Sequence, residues 1–448
     1  MRSLSNALGY RDHGELGPPI LVQGVNSTVG PFHTFTGPTA KVVYPDVVVR
    51  ALGVIYAEYR AAFGRLIEAN REWATDYQYC EGQHNFTVQI DMAGLPQWAL
   101  NELAKLPLDD VVEYLRTVIF ELESSIAMYP LLSKMFADAS GLSKWGHNWR
   151  LTLDSLRQQF GKQIMLLAVT KDKYRAMLET EFGITDGSRP SDELVRELTG
   201  FDVFMGPDEF LAYLDDNGGE CDYLIFARTS DPPAKLKQPA YMIEHPLLSE
   251  PRVREIIKAC AITVNVDRPG GLTSQQINDT KAYMPDIGIG FRFSTLEDLQ
   301  GEEFARWLAA RGHSIKELNE GTILIRCKPV HGTGSYGHLR GWISGGHRPK
   351  KFRDQLRGSL HDRGDYVAQV EVPVSKITNL TDDGSDTTYD YIHRLFLAVT
   401  VDADGVVRLQ WIGGFVNAIP ETDHEAMRGR IHGAKSAVWA EIEAATAV

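Results

Sequence analysis

The spacing of apolar and polar positions divides the chain into segments of different texture. From Asp46, Val49, Leu52, Ile55, Tyr56, Tyr59, Phe63 and Leu66 recur three and four apart, the period of a helix with one buried face. His84–Met92 alternates instead, with Phe86, Val88 and Ile90 against Asn85, Thr87, Gln89 and Asp91. That pattern predicts a strand with Gln89 and Asp91 on one face. Helical spacing returns over Leu108–Ala137, where Val111, Tyr114, Leu115, Val118 and Ile119 form a stripe, and again over Trp149–Phe160. After Lys162 the run KQIMLLAVT has strand length and is followed by a helical stretch ending at the breaker Gly183. A second βα unit is expected over Phe201–Leu214 and a further buried strand over Asp222–Arg228, giving a small α/β region over 162–265.

The C-terminal third reads differently. A helix over Glu302–Arg311 precedes Asp365–Val374, which alternates Tyr366, Ala368, Val370 and Val372 against Gln369 and Glu371. Arg394–Val401 and Val406–Trp411 flank Asp402-Ala-Asp-Gly405, a strong hairpin signal. Gly413, Gly414 and Asn417 close that sheet, and a last helix is expected over Glu425–Ala445. Residues 1–40, rich in Gly, Pro, Ser and Thr, are expected to form an irregular arm.

The chemistry gathers at Thr322–Gly337. Apolar Ile323, Leu324 and Ile325 lead through Lys328 and Pro329 into a loop with Gly332, Gly334 and Gly337, and an extended stretch follows from His338 to Ile343. Glycine backbone lets several N–H groups approach one anion, and a lysine at the base adds a point charge, so a nucleoside triphosphate suits this strand–loop–strand. A dinucleotide fold would need a helix after the last glycine, a phosphate-binding P-loop a following Lys-Ser/Thr, and a protein kinase a downstream lysine with HRD and DFG. None of these patterns is present. A lysine before a glycine hairpin remains, alongside a plain Gly-rich turn. His331, His338 and His347 match no zinc spacing and are expected to be solvated.

With 448 residues there is room for two or three domains. The net charge of −13 argues against broad nucleic-acid binding, so a phosphate site must be a local basic pocket. Cys80, Cys221, Cys260 and Cys327 show no metal spacing and fit reduced thiols. No apolar run reaches about 18 residues. A soluble, cytoplasmic protein without membrane or nucleic-acid partners is the expectation.

Four stretches in order resemble one family: YLIFARTSD (Tyr223–Asp231), NVDRPGGLTSQQINDTKAYMPDI (Asn265–Ile287), CKPVHGTGSYG (Cys327–Gly337), and YVAQVEVPV with the later RLFLAV and GGFVNAIP. Together they are similar to the circularly permuted ATP-grasp proteins related to glutathionylspermidine synthase. The resemblance implies an α+β fold: a mostly helical N-terminal region (1–160), a mixed α/β subdomain (161–290) and an antiparallel nucleotide-binding subdomain (291–448). It implies ATP and Mg²⁺ as cofactors and an ADP-forming carboxylate–amine ligase acting on small-molecule or peptide substrates. Carried over residue by residue, Lys281 and Lys328 would be phosphate lysines, with Arg394 and Arg228 as further catalytic cations. Gly332, Thr333, Gly334, Ser335, Tyr336 and Gly337 would form the flap, and Gln369 with Glu371 the adenine-side hinge. Relatives hold metal on an Arg-x-Asp strand followed by a Glu-x-Asn strand. Here Gln89-Ile90-Asp91 stands for the first, so Asp91 would be the metal ligand, and no Glu-x-Asn follows in a strand pattern. A nucleotide-binding scaffold or regulatory protein without turnover, and an ATP-grasp phosphotransferase, are the alternative readings. The sequence does not set the oligomeric state.

Overall fold

The computed structural model describes residues 21–22, 26–27, 30–31, 33–35, 41–69, 86–123, 145–168, 171–172, 175, 191–228, 284–320, 323–330, 338–341, 347–371, 375–380, 386–401, 407–420 and 437–445. Short strands β1 (Leu21–Val22), β2 (Asn26–Ser27), β3 (Gly30–Pro31) and β4 (His33–Phe35) precede β5 (Lys41–Tyr44) and the long helix α1 (Asp46–Ala69). Strand β6 (Phe86–Ala93) leads through α2 (Gln97–Leu103) and α3 (Leu108–Val118) to β7 (Ile119–Glu123), and α4 (Trp145–Phe160) follows. Next come β8 (Gln163–Ala168), α5 (Asp192–Thr199), β9 (Val203–Met205), α6 (Pro207–Asp216) and β10 (Tyr223–Arg228). They are followed by β11 (Phe291–Phe293), α7 (Glu302–Ala310), α8 (Ile315–Asn319), β12 (Ile325–Pro329), β13 (Leu339–Gly341), α9 (His347–Arg363) and β14 (Tyr366–Val370). The last strands are β15 (Ser375–Leu380), β16 (Asp386–Val401), β17 (Val407–Pro420) and β18 (Ala437–Ala444).

Among the described residues the fold is mixed α/β, with two large antiparallel-rich sheets, one parallel sheet and the antiparallel pair β2–β3. A nine-stranded sheet runs β1-β4-β18-β17-β16-β6-β7, with β15 added on β16 and β5 on β18. Its core face carries Ile90 and Met92 of β6, Leu395 and Leu397 of β16 and Trp411 of β17, against Val48, Leu52, Ile55, Tyr56 and Tyr59 of α1. The three-four spacing in α1 thus finds the period-two face that it matches, and each fully buried side chain contributes roughly 1.5–3 kcal/mol. The opposite face of the same strands carries Asp91 and Arg394, and it is this face that becomes chemically interesting.

The α/β region forms as expected where described: β10-β8-β9 is a parallel sheet, its core made by Met165, Leu167, Phe210, Leu214 and Ile225. Helix α5 starts at Ser191, whose hydroxyl accepts from Leu194 N, and stops at Gly200 with φ 74°, a cap at each end. Asp202 locks this unit to α4, accepting from Arg157 Nε and Nη2 at 3.0 Å and from Ile164 N at 2.8 Å. Beside it Lys171 and Arg175 bind Asp192. Burial pushes the Asp192 carboxyl up, but these two cations outweigh it and hold its pKa below the ordinary value.

Strands β11-β14-β12-β13 form a four-stranded antiparallel sheet. One face, with Ile325, Cys327, Tyr366 and Ala368, is buried under Phe304 and Leu308 of α7 and Phe352 and Leu356 of α9. Helix α9 leaves little trace in the sequence pattern, since Pro349, Gly358 and six Lys or Arg residues interrupt its apolar period.

Three expectations change. The stripe from Leu108 does not continue as helix to Ala137: α3 stops at Val118, and Ile119–Glu123 pairs with β6 as an edge strand. Val118 and Ile119 are β-branched and favour that ladder once β6 offers one. The C-terminal helix fails over Ala437–Ala444, which is strand, pairing antiparallel with β17 and parallel with β4 and β5. Ile442 is fully buried there, so tertiary pairing overrides the helical preference of an Ala/Glu-rich segment. Residues 425–436 lie outside the described residues. The N-terminal arm is not wholly irregular, because β1 and β4 extend the large sheet.

Candidate functional site

Two groups of polar residues meet where the four-stranded sheet touches the edge of the large one. The first is a row across three neighbouring strands. Arg394 on β16 stands opposite Asp91 on β6, and Asp91 stands opposite Glu121 on β7. Directly paired residues share a face of the sheet. Arg394 donates from Nε to Asp91 Oδ1 at 2.9 Å and from Nη2 to Oδ2 at 2.7 Å. The pair is 5% and 2% exposed. Such burial is tolerable because the two hydrogen bonds are charge-assisted and parallel.

The second group lies on the polar face of the four-stranded sheet, opposite its apolar core. Arg326 pairs across the ladder with Gln369 on one side and Arg340 on the other, and Lys328 follows two residues along β12. Two arginines side by side would repel, but Glu371 takes one oxygen to each, 3.0 Å from Arg326 Nη2 and 2.7 Å from Arg340 Nε. Lys328 is 3% exposed and Gln369 8%. Between Lys328 and Arg326 the thiol of Cys327 points into the core, where burial drives its pKa well above the ordinary thiol range and leaves it inert.

The groups meet through a bulge. Asp91 pairs with Glu121 and Met92 with Ile119, so Phe120 is one residue too many on β7. A bulge leaves its extra residue outside the ladder and re-aims it. The Phe120 carbonyl accepts from Lys328 Nζ at 2.6 Å, and the Ile119 carbonyl accepts from Gln369 Nε2 at 3.4 Å. Gln369 Oε1 is buried with no hydrogen-bond partner among the described residues.

Of the residues singled out in the sequence, Asp91 and Arg394 are thus brought into direct contact, and Lys328 and Gln369 come to the strand next to them. Glu371 is engaged by two arginines. Arg228 ends β10 of the parallel sheet. Lys281 and Gly332–Gly337 lie outside the described residues. His338 differs from its expected solvated state, since both ring nitrogens are shielded from solvent.

Glu121 was missed by sequence reasoning because its segment reads as helix. The signal was present as Glu121-Leu122-Glu123, a Glu-x-Glu on a strand, with Glu123 in register with Gln89. For a divalent cation the donor type fits: Asp91 and Glu121 are carboxylates in register on one sheet face, and hard cations take oxygen ligands. Mg²⁺ is held by one or two carboxylates plus phosphate oxygens. Among the described residues no three His, Cys, Asp or Glu side chains cluster as a metal site, so phosphate would have to complete it.

No protein-family model and no curated protein matches the chain. Among solved structures, a glutathione synthetase like-effector from Globodera pallida, in apo form, is similar over 99% of this chain and 95% of its own, at 10% identity and a TM-score of 0.35. A likeness that shallow does not define a shared fold. Among the described residues, no helix is long and apolar enough to cross a membrane.

Proposed function

We propose that this chain is an ATP-dependent, ADP-forming ligase of the ATP-grasp kind, joining a small-molecule or peptide carboxylate to an amine. The observation that carries the reading is the meeting at β7. Lys328, a cation suited to phosphate, reaches the carbonyl of Phe120, and the next residue, Glu121, stands in register with Asp91 and Arg394. The candidate phosphate lysine and the candidate metal carboxylates therefore come within one residue of each other along one strand.

In this reading Lys328, with Lys281 and the Gly332–Gly337 loop that the resemblance assigns, neutralises and orients the triphosphate. Gln369 receives the base, and Arg394 fixes the orientation of Asp91. Asp91 and Glu121 would hold Mg²⁺, which would supply charge neutralisation at the transferred phosphoryl group. A substrate carboxylate oxygen attacks the γ-phosphorus and ADP leaves. The amine then attacks the acyl carbon, phosphate leaves, and the nitrogen gives up a proton. Positioning is the main contribution of the protein.

The test is ADP release measured against a panel of amino-acid and short-peptide carboxylates, each with and without amines. Release that needs both partners supports the ligase, and a chain that binds no ATP in calorimetry is not one. A second reading, nucleotide binding without turnover, is favoured by the engagement of both Asp91 oxygens by Arg394. It predicts ATP binding with the ATP left intact whatever acid and amine are supplied.

A further inference from the structure

Two hydrogen bonds between the four-stranded sheet and β7 are made by side chains that the proposed nucleotide site uses. Lys328 Nζ is held at 2.6 Å by Phe120 O, and Gln369 Nε2 lies 3.4 Å from Ile119 O. Both acceptors are main-chain carbonyls of an edge strand, and one belongs to the bulged residue. We infer that this seam is an intramolecular latch: the bulged edge of β7 competes with nucleotide for Lys328 and Gln369, so nucleotide binding parts the four-stranded sheet from β7. The inference rests on the nucleotide-binding reading above.

Three features give the exchange its direction. A phosphate oxygen is anionic and is a stronger acceptor for an ammonium than the neutral carbonyl of Phe120. The Gln369 contact is at the long limit for a hydrogen bond, and its Oε1 is buried without a partner among the described residues. A half-satisfied buried amide is a contact that a better-matched ligand can replace. Lys328 is only 3% exposed and its ammonium is held by Phe120 O, so a polyphosphate must displace that carbonyl to take its place. The bulge makes the exchange local. Glu121, one residue beyond Phe120, stays paired with Asp91 in the ladder, so the carboxylates keep their place while the carbonyl edge is released. The latch would lower apparent nucleotide affinity by the fraction of molecules that are open.

The seam is read by distance. Asp110 on α3 and Glu303 on α7 are both exposed, and α3 runs directly into β7 while α7 covers the four-stranded sheet. Spin labels at Asp110→Cys and Glu303→Cys, in full-length protein with Cys80, Cys221 and Cys260 replaced by Ser, report the separation by pulsed electron resonance. A non-hydrolysable ATP analogue with Mg²⁺ should shift the distribution to longer distance. Lys328→Met and Gln369→Leu, each checked for a native circular dichroism spectrum, should lengthen or broaden it without nucleotide, the lysine variant more. The two variants back each other up, should one fail to fold. Calorimetric binding of the analogue with an unchanged distance overturns the latch and leaves the nucleotide site standing. An absence of analogue binding removes the function proposed above and the competition with it. Unchanged distances in both variants show that the two donors do not hold the seam.

Discussion

Arg394 clasps both oxygens of Asp91, at 2.9 and 2.7 Å, across the β16–β6 ladder, one strand in from the β7 edge of a nine-stranded sheet. Removing one partner takes two charge-assisted hydrogen bonds from the other in a site that water hardly reaches. Arg394→Met should therefore destabilise the fold by about 3–5 kcal/mol, whereas Arg394→Met combined with Asp91→Leu should recover much of that loss. Urea unfolding of the two variants decides it. A double variant no more stable than the single one would mean that Asp91 is satisfied by other groups.

His393 is the neighbour of Arg394 but faces the core. It is fully buried and lies 2.6 Å through Nδ1 from the Tyr44 hydroxyl, with the Tyr44 ring packed beside it and the Trp411 ring against Tyr44. Burial lowers its pKa to about 3, below the ordinary value near 6.5. Between those values the unfolded chain binds a proton that the folded chain refuses. The contribution to stability is thus complete above about pH 6.5 and is lost as pH falls toward the folded value, at up to about 1.4 kcal/mol per pH unit. His393→Gln should lose less stability than wild type between pH 7 and pH 5. Equal losses in urea titrations would show that the imidazole is not kept neutral by the fold.

Much of this was legible in the sequence, and the failures have a physical pattern. Helix α1 and strand β6 carry long, clean periods and form where expected. The β12–β13 pairing and the β16–β17 hairpin follow from turn chemistry that is local to the chain. Strands β7 and β18 were read as helix, because each sits in a helix-compatible composition and becomes a strand only through a partner distant in sequence. Glu121 was lost with β7. No local pattern shows that Asp91 and Arg394, 303 residues apart, are joined. The engagement of Glu371 is likewise set by the cross-strand neighbours Arg326 and Arg340.

At Gly341 the four-stranded sheet packs against Phe352 of α9. A Cβ there would lie 2.5 Å from the Phe352 ring, and Phe352 is itself buried in that subdomain's core. Gly341→Ala should cost about 1–3 kcal/mol through overpacking. Adding Phe352→Leu should restore part of the loss by making room. Thermal melts of the single and double variants test it, and two independent, additive losses would show that the methyl group is accommodated elsewhere.

Lys328→Met keeps the bulk of the side chain and removes its charge. If the ammonium contacts phosphate, ATP affinity should fall by about 1–3 kcal/mol. The same substitution also releases the contact with Phe120 O, which offsets part of the loss, so the fall should lie toward the lower end of that range. Calorimetry with ATP and with adenosine separates the effects, because adenosine lacks phosphate and should bind the variant no worse than wild type. An equal loss for both ligands would place Lys328 away from the phosphates.

Glu121 and Asp91 allow the sharpest test of the chemistry, because they share one face of the sheet but differ in their attachments. Asp91 is locked by Arg394 and 2% exposed, while Glu121 lies on the edge strand and is partly exposed. Asp91→Asn would put an amide NH₂ against a guanidinium donor, disturbing both the fold and any metal. Glu121→Gln keeps the shape of the side chain and removes one carboxylate charge from the edge. Under the ligase reading, ground-state phosphate charge is met largely by lysines, whereas the metal acts on charge that develops as the phosphoryl group moves. Glu121→Gln should then lower acid-dependent ADP formation by about 100-fold, with little change in ATP affinity or melting temperature, in line with losing one preorganised transition-state contact. Asp91→Asn should lower all three. The Mg²⁺ concentration giving half-maximal rate should rise in Glu121→Gln, a change that damage to the fold would not produce. Wild-type turnover and Mg²⁺ dependence in Glu121→Gln would place the metal on other residues. A Glu121→Gln protein that lost stability to the same degree as Asp91→Asn would make the row Arg394–Asp91–Glu121 a structural brace.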